Sequence, residues 1–213
     1  MKINIKLKDG NNKVIDDILD IMTSELNKVF KTAVSSSNMK IKSILKNAIR
    51  LQPEYTALMS GRLRYELGIP NTSSINNVVD TIVNTTNIQA IPIKKTGRQI
   101  SGGLDISLVN IDSNILFSEA AVVNDIDRGY ILPWLKWLLF DGSAPIVIGY
   151  DVMMGSFPNT VSRTGKAIMK NGGSWSISSR YAGTEYNNWL TRSVESSKED
   201  IKNMIVSYIK RNI

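Results

Sequence analysis

The sequence predicts an α+β fold with N-terminal helices, a small and mostly antiparallel sheet, and a long C-terminal helix. Two changes in apolar periodicity indicate this fold, because helical spacing gives way to strand-like alternation and then returns. No internal repeat or low-complexity linker divides the 213 residues, which favours a single domain, 1–213. Its predicted parts are helical residues 1–85, sheet-rich residues 86–180 and a C-terminal helix over 184–212.

A short strand and an amphipathic helix open the chain. Ile3, Ile5 and Leu7 alternate with polar residues, and Asp9-Gly10 is typical of a turn that ends a strand. This alternation is unlike a secretion signal, so an intracellular product, or part of a particle assembled inside a cell, is expected. Apolar residues then recur at helical spacing over 15–33, with aspartates near the start and lysines near the end, as the helix dipole favours.

Three further helices are predicted before the sheet. The polar segment Ser35-Ser36-Ser37-Asn38 is expected to break the first helix and to cap a second one, which Pro53 closes. A short helix over 54–65 is expected next, with Gly68-Ile69-Pro70 ending the segment. A regular apolar stripe predicts another helix over 73–83.

The middle of the chain changes to a period of two. Residues 88–93 and 104–108 alternate like strands, and a glycine-rich turn over 97–103 separates them. Pro92 cannot donate a ladder hydrogen bond, so the first of these strands is expected at a sheet edge. The glycine-rich stretch and Asn171-Gly172-Gly173 contain few apolar residues, and we expect both to be flexible in a free subunit and to become ordered on assembly. A long surface hairpin with no partner is the alternative.

A buried helix and a second hairpin complete the sheet-rich part. Residues 132–140 predict one apolar helix, which is too short to span a bilayer. Residues 145–150 predict a strand, and Asn171-Gly172-Gly173 predicts a hairpin turn between strands 165–169 and 174–178. The C-terminal helix keeps one apolar face, made of Trp189, Leu190, Val194, Ile201, Ile205 and Tyr208.

The composition excludes several kinds of catalytic and metal site. The chain has no cysteine and no histidine, which excludes disulfides, zinc fingers and Ser-His or Cys-His catalysis. Asp125-Ile126-Asp127 could form a metal-binding or acid pair, although a solvated loop is the favoured interpretation. Residues 162–167 lack the early glycine and the final Ser/Thr of a phosphate-binding loop. We therefore expect neither enzyme activity nor a cofactor.

The net charge of +7 is unevenly distributed along the chain. Residues 1–66 carry 12 basic and 7 acidic side chains, 67–160 carry 5 and 8, and 161–213 carry 9 and 4. Basic ends and an acidic middle can attract other copies of the chain or an acidic partner, although solvated helix faces explain them equally well. The candidate interface residues are Arg62, Arg64, Lys94, Lys95, Arg98, Arg163 and Arg192.

Two short segments resemble the tail-completion, or neck, proteins of tailed phages. They are Ser60-Gly61-Arg62-Leu63-Arg64 after the first helices and Asn188-Trp189-Leu190-Thr191-Arg192 at the start of the last helix. Members of that family often carry a Thr-Gly-x-Leu-Arg element, in which this chain has Ser60 in place of threonine. Residues 163–192 are also similar to virion neck proteins of contractile-tailed phages. The resemblance covers most of the chain in order, although the region 70–160 is longer than in compact members.

The resemblance implies a non-enzymatic virion protein that forms a homo-oligomeric ring in the neck and is assembled in the host cytoplasm. It implies contacts with a portal or head-closure protein and with tail-tube or tail-terminator proteins, around a channel that DNA crosses, and no membrane partner. Two alternatives stay open. One is a small basic nucleic-acid-binding protein, favoured by the net charge and by Trp175, Arg180 and Tyr181. The other is a tail terminator or another tail structural subunit.

Overall fold

The computed structural model describes residues 2–6, 12–107, 111–125 and 129–212. The fold is α+β, with about 50% of the residues in helices and 22% in strands, small antiparallel sheets and a long C-terminal helix, which confirms the predicted fold class. In chain order the elements are β1 (Lys2–Lys6), α1 (Asn12–Arg50), α2 (Pro53–Met59), α3 (Arg62–Glu66), α4 (Ser73–Asn84), β2 (Asn87–Thr96), β3 (Gln99–Ser107), α5 (Ser113–Leu116), β4 (Val123–Asp125), β5 (Tyr130–Leu132), α6 (Trp134–Phe140), β6 (Val147–Met154), β7 (Ala167–Trp175) and α7 (Trp189–Asn212).

The chain divides into two compact units. The first unit consists of Met1–Ile44, Thr85–Val109 and Ser197–Ile213, and the second unit consists of Leu45–Asn84 and Asn110–Ser196. Helices α1 and α7 each contribute residues to both units. The single domain expected from the sequence stays a prediction.

Helix α1 runs without a break through residues 35–38, so the predicted helix boundary there is wrong. The hydroxyls of Ser35 and Ser36 each donate to the carbonyl oxygen of Thr32, at 2.9 Å, which satisfies them without opening the helix. Ser37 is buried on the apolar side of the helix. Burial of this side keeps the segment helical, because tertiary packing outweighs the weak preference of serine for a cap.

Three antiparallel strands form the sheet of the first unit, in the order β1-β3-β2. Strand β2 lies at an edge, as Pro92 predicts, and its register shifts between Ile91 and Lys94. Helix α1 binds the shifted backbone, since Asn27 Nδ2 donates to Ile93 O at 2.9 Å and Ile93 N–H donates to Asn27 Oδ1 at 2.8 Å. The asparagine thus satisfies backbone groups at the bulge.

Most of the glycine-rich stretch 97–103 belongs to a strand, so the predicted long turn there is wrong. Thr96 pairs directly with Gln99, which leaves a turn of two residues. Gly102 lies in the central strand β3, where a β-carbon would lie 2.7 Å from the Cα atom of Ile93. Glycine is required here because the bulged backbone of β2 approaches too closely for a side chain.

One cluster of buried apolar side chains forms the core of the first unit. Ile3 and Ile5 of β1 are partly buried against it, as their alternation predicts. Leu7 and Asp9-Gly10, which belong to the same prediction, lie outside the described residues. The members of the cluster come from α1, β2, β3 and α7 and are Ile15, Leu19, Leu26, Val29, Phe30, Ile41, Ile88, Ile93, Ile100, Leu104, Ile205 and Ile209.

Short helices form the first part of the second unit. The segment 54–65 contains two helices, α2 and α3, where the sequence predicts one. They separate at Gly61, since a β-carbon there would lie 2.8 Å from the carbonyl oxygen of Ala57. Pro53 is the first residue of α2, a position in which its missing N–H costs no hydrogen bond. Helix α4 confirms the predicted helix over 73–83.

Helix α6 and the start of α7 hold two fully buried tryptophans of the second unit. Helix α6 confirms the predicted buried helix, and the indole N–H of Trp134 donates to Ala120 O at 3.0 Å. Helix α7 begins at Trp189 rather than near residue 184. Asn188 caps it, because its Oδ1 accepts from the backbone N–H groups of Leu190 and Thr191, both at 3.0 Å.

Strands β6 and β7 form an antiparallel two-stranded sheet in the second unit, here named the ribbon. Strand β6 continues beyond the predicted strand 145–150. Residues 171–173 lie inside β7, so the predicted hairpin turn there is wrong. They lie opposite a register shift between Ile148 and Tyr150, and Gly173 has a φ of +59°. A bulge with positive φ favours glycine as a turn does, which explains the false turn prediction.

Candidate assembly surfaces

The candidate interface residues are divided between the two units. The hairpin of β2 and β3 in the first unit carries Lys94, Lys95 and Arg98. The second unit carries Arg62, Arg64, Arg163 and Arg192. Each group is therefore a separate candidate surface, and the surroundings of each cation decide whether it is available to a partner.

Lys95 of the first unit is already paired within the chain. Its Nζ lies 3.0 Å from Oδ1 of Asp20 and 3.2 Å from Oδ1 of Asp16. The hydrogen bond to Asp20 is the main cause that raises the pKa of Lys95 above its ordinary value, and the Asp16 carboxylate adds to it against the opposing effect of desolvation. Arg98 donates to the side-chain oxygen of Asn12. Among the described residues of this hairpin, Lys94 is the exposed cation with no such partner.

Arg62 of the second unit is accessible. Its side chain is 65% exposed, and its Nε donates to the carboxylate of Glu66 one turn later in α3. It borders an open groove of about 770 Å³ that α2 and α3 line together with Ser178, Arg180 and Tyr181. Since an exposed pair within one helix adds little to stability, Arg62 is available for contact with a partner.

Arg64 is half-buried and bound within its own subunit. Its Nη2 donates to the hydroxyl of Tyr65 at 2.9 Å, and its guanidinium carbon lies 4.7 Å from the centre of the Tyr65 ring. Its Nε is buried with no hydrogen-bond partner among the described residues. This arginine therefore contributes to the packing of α3, which its sequence pattern does not reveal.

Charge reversal is expected to distinguish these two arginines. Arg62→Glu should change the free energy of unfolding by no more than about 0.5 kcal/mol, because its side chain is exposed. Arg64→Glu should lower it by about 1–2 kcal/mol, because it removes a hydrogen-bonded cation from the face of Tyr65. Urea unfolding followed by circular dichroism checks both values. Equal losses in the two variants would contradict this assignment, and assembly of folded Arg62→Glu would exclude Arg62 from an essential interface.

Arg192 pairs with a buried carboxylate of its own subunit. Its Nη2 donates to Oε1 of Glu54, whose side chain has no exposed surface, whereas the Arg192 side chain is 36% exposed. Its Nη1 donates to Oδ1 of Asn187 at 2.7 Å. The pair joins α2 to the first turn of α7. Arg192, a candidate interface residue, is thus bound to a carboxylate of its own chain.

Trp189 lies one helical turn before Arg192 and binds the last turn of α1. Its indole N–H donates to the carbonyl oxygen of Ile49 at 2.9 Å, in the last turn of that helix. The ring of Tyr55 lies 6.4 Å away between centroids, and the Tyr55 hydroxyl donates to Oδ1 of Asn76 at 2.8 Å. We name Ile49, Glu54, Tyr55, Trp189 and Arg192 the Trp189 cluster. It fixes the segment 188–192 against α2, the helix directly before the segment 60–64.

Arg163 packs against the turn that follows α3. Gly68 has a φ of +70°, and a β-carbon at this position would lie 3.1 Å from a terminal nitrogen of Arg163. The neighbouring Ser162 is buried and donates to Ala167 O at 2.6 Å. The exposed Arg163 is therefore held by local packing within the second unit.

The ribbon is a candidate surface that the sequence analysis missed. Within these two described strands, Trp175 is the one buried residue, and every residue of β6 is exposed or half-buried. Tyr150, Met153 and Met169 are 43%, 39% and 45% exposed, and Ile148 is 80% exposed. The available sequence signal is the apolar run of β6, which is typical of a strand covered on both faces. In the described part of the chain, most of the ribbon surface has no such cover.

Trp175 packs within the second unit, and only part of the acidic segment near residue 125 is described. The Trp175 ring meets that of Trp137 edge-on, with 6.1 Å between centroids, so it is a core residue. Residues 126 and 127 of the Asp125-Ile126-Asp127 segment lie outside the described residues. In the described part of the chain, no group of three acidic side chains could hold a metal ion, and no helix has the length and apolarity to cross a membrane.

Comparisons with models of protein families, with curated proteins and with solved structures find no match to this chain. Its function must therefore be inferred from its sequence and from the surfaces described above.

Proposed function

We propose that the chain is a structural virion protein of a tailed phage, a ring-forming subunit of the neck that joins the portal side of the head to the tail. The observation that carries this proposal is the ribbon, whose apolar side chains are exposed in the single subunit. The resemblance of segments 60–64 and 188–192 to neck proteins supplies the place in the particle. No catalytic step is assigned to the subunit.

A ribbon of two strands is weakly stable by itself. Two antiparallel strands alone are marginally stable in water, and they need a third strand or a packed face. Among the described residues of the ribbon, Trp175 at the end of β7 packs against Trp137 of α6, and the other residues of β6 and β7 are exposed or half-buried. Exposed apolar patches on a soluble protein mark contact surfaces for other proteins. A subunit with such a ribbon is suited to assembly, since a neighbouring protein can cover it.

The Trp189 cluster supports the same proposal in a different way. It packs α2 against the start of α7, and the two segments that resemble neck proteins both belong to the second unit. Packing of this kind lowers the entropic cost of forming a ring, because fewer groups have to become ordered on assembly. The partners we propose are other copies of the chain, a portal or head-closure protein and a tail protein, with DNA passing through the ring.

A joining assay tests the proposed function. In extracts of an infection that lacks this chain, we expect DNA-filled heads and completed tails to accumulate separately. Addition of the purified protein should join them, and electron microscopy of the product should show added density at the neck. The matched control is an unrelated basic protein of similar size and charge, which should leave heads and tails apart.

Two results would contradict the proposal. Joined particles in extracts that lack the chain would show that it is not needed at the neck. Sub-micromolar binding to DNA with a steep dependence on salt, without joining activity, would favour the nucleic-acid-binding alternative, because such a slope reports displaced phosphate counterions.

A further inference from the structure

We propose that copies of this chain bind one another through their ribbons. The free edge of β6 in one copy pairs with the free edge of β7 in the next copy. The inference rests on the ring that the proposed function requires, and it names the surface that forms the ring. The occupant of the exposed ribbon is therefore a second copy of the same chain.

The backbone of the ribbon provides two different free edges. Strands β6 and β7 pair only with each other in the described part of the chain, so each has one edge of unpaired N–H and C=O groups. Edges of this kind are templates for a strand from another chain. Since β6 and β7 are antiparallel, adding the β6 of a second copy to the free edge of β7 continues the antiparallel pattern.

The charges of the two strands decide which edges pair. Asp151 is the one charged residue of β6, and Lys170 is the one charged residue of β7. Lys166 lies directly before the first residue of β7. Asp151 lies opposite Lys170 in the register of its own ribbon, but its carboxylate lies over Gly173, and the structure shows no ion pair for these three charges among the described residues. Pairing of β6 with β6 would oppose aspartates, and pairing of β7 with β7 would oppose lysines. Pairing of β6 with β7 brings opposite charges together.

This choice of edges also determines the kind of assembly. A contact between two different surfaces is heterologous, and repetition of it produces a closed ring when the rotation closes. In such a ring the ribbons form one continuous sheet. Tyr150 and Val152 of β6 lie on the same face as their partners Asn171 and Met169 of β7. The same faces of successive copies would align, so each ribbon would cover exposed apolar atoms of its neighbour.

Cross-linking between two single-cysteine variants tests the proposed edges. The chain has no cysteine, so Val152→Cys and Met169→Cys each introduce one thiol without changing a charge. When the two variants are mixed and treated with a short bismaleimide, we expect cross-linked dimers to form far more efficiently than with either variant alone. Tyr186→Cys, at a position that is 85% exposed, is the control for random collisions and should give few dimers with either partner.

Charge exchange provides a second, independent readout. Asp151→Lys alone, and Lys166→Glu with Lys170→Glu alone, should each raise the protein concentration needed for ring formation at least about tenfold in mass photometry. A mixture of these two variants should recover assembly, because each edge then again meets an opposite charge. Each variant also places like charges opposite each other within its own ribbon, because Asp151 lies opposite Lys170 there. Mixing cannot remove that repulsion within a subunit, so recovery on mixing reports the contact between copies, and circular dichroism of each variant alone is the control for folding.

Each result separates this inference from the proposed function. Predominant cross-links between two Val152→Cys subunits, or between two Met169→Cys subunits, would overturn the pairing of β6 with β7. Native assembly of both charge variants would exclude the ribbon as the contact between copies. Joining of heads and tails in either of these cases would leave the proposed function standing. Ribbon cross-links and recovery by mixing, together with a failed joining assay, would support the inference and overturn the proposed function.

Discussion

Replacement of Arg192 by alanine is expected to lower the free energy of unfolding by about 3 kcal/mol, the lower end of the range for a broken buried pair, because the Arg192 side chain is partly exposed. The Glu54 side chain has no exposed surface, and its Oε2 has no hydrogen-bond partner in the described chain. Without the guanidinium, a buried carboxylate is left unbalanced, which costs much more than the loss of a surface ion pair. Urea unfolding followed by far-ultraviolet circular dichroism measures the loss.

Two further variants show whether the unbalanced charge is the cause. Arg180→Ala removes an exposed arginine of the same unit and should change the free energy of unfolding by no more than about 0.5 kcal/mol. Addition of Glu54→Gln to Arg192→Ala should recover part of the loss, because a neutral amide is less costly to bury than a carboxylate. An Arg192→Ala subunit of native stability that cannot assemble would contradict the internal role and favour an interface role.

The elements that the sequence predicts correctly are those in which local periodicity and tertiary burial agree. Helix α4 and helix α6 each have an apolar pattern that matches their buried residues. The serine segment 35–38 and the glycine stretches 97–103 and 171–173 fail as predictions because a local preference was overruled by packing. Serine hydroxyls can bond within a helix, and glycines can allow close strand approach or a bulge as readily as a turn.

The candidate site was less predictable because a charged side chain does not reveal its partner in the sequence. Lys95 and Asp20 are 75 positions apart, and Arg192 and Glu54 are 138 positions apart, yet both pairs are in contact. Glu54 follows Pro53 and has the sequence pattern of an ordinary acidic residue in a first helical turn. The ribbon was missed as a surface for another reason: an apolar run indicates a strand, but it does not show whether the covering surface belongs to the same chain.

Trp189→Ala is expected to lower the free energy of unfolding by about 4 kcal/mol, as large-to-small substitution at a fully buried aromatic residue does. The loss has two physical parts. Removal of the ring leaves a cavity beside Tyr55, and removal of the indole N–H takes a donor from the Ile49 carbonyl at the end of α1. Trp189→Phe removes the donor but keeps most of the ring volume, so it should cost about 1.5 kcal/mol.

Urea unfolding of both variants measures the contributions of the ring volume and of the hydrogen bond. Tyr186→Ala, at an exposed aromatic position, is the control, and a change within about 0.5 kcal/mol is expected for it. Equal losses of stability for Trp189→Phe and Trp189→Ala would contradict the two separate contributions and assign the whole effect to the hydrogen bond.

The same two variants separate an effect on stability from an effect on assembly. Because Trp189 is fully buried, it has no surface to offer a partner, and any assembly defect should follow the stability loss in both variants. A defect in assembly at native stability would show that the Trp189 cluster acts on the interface through the placement of α2 and α3.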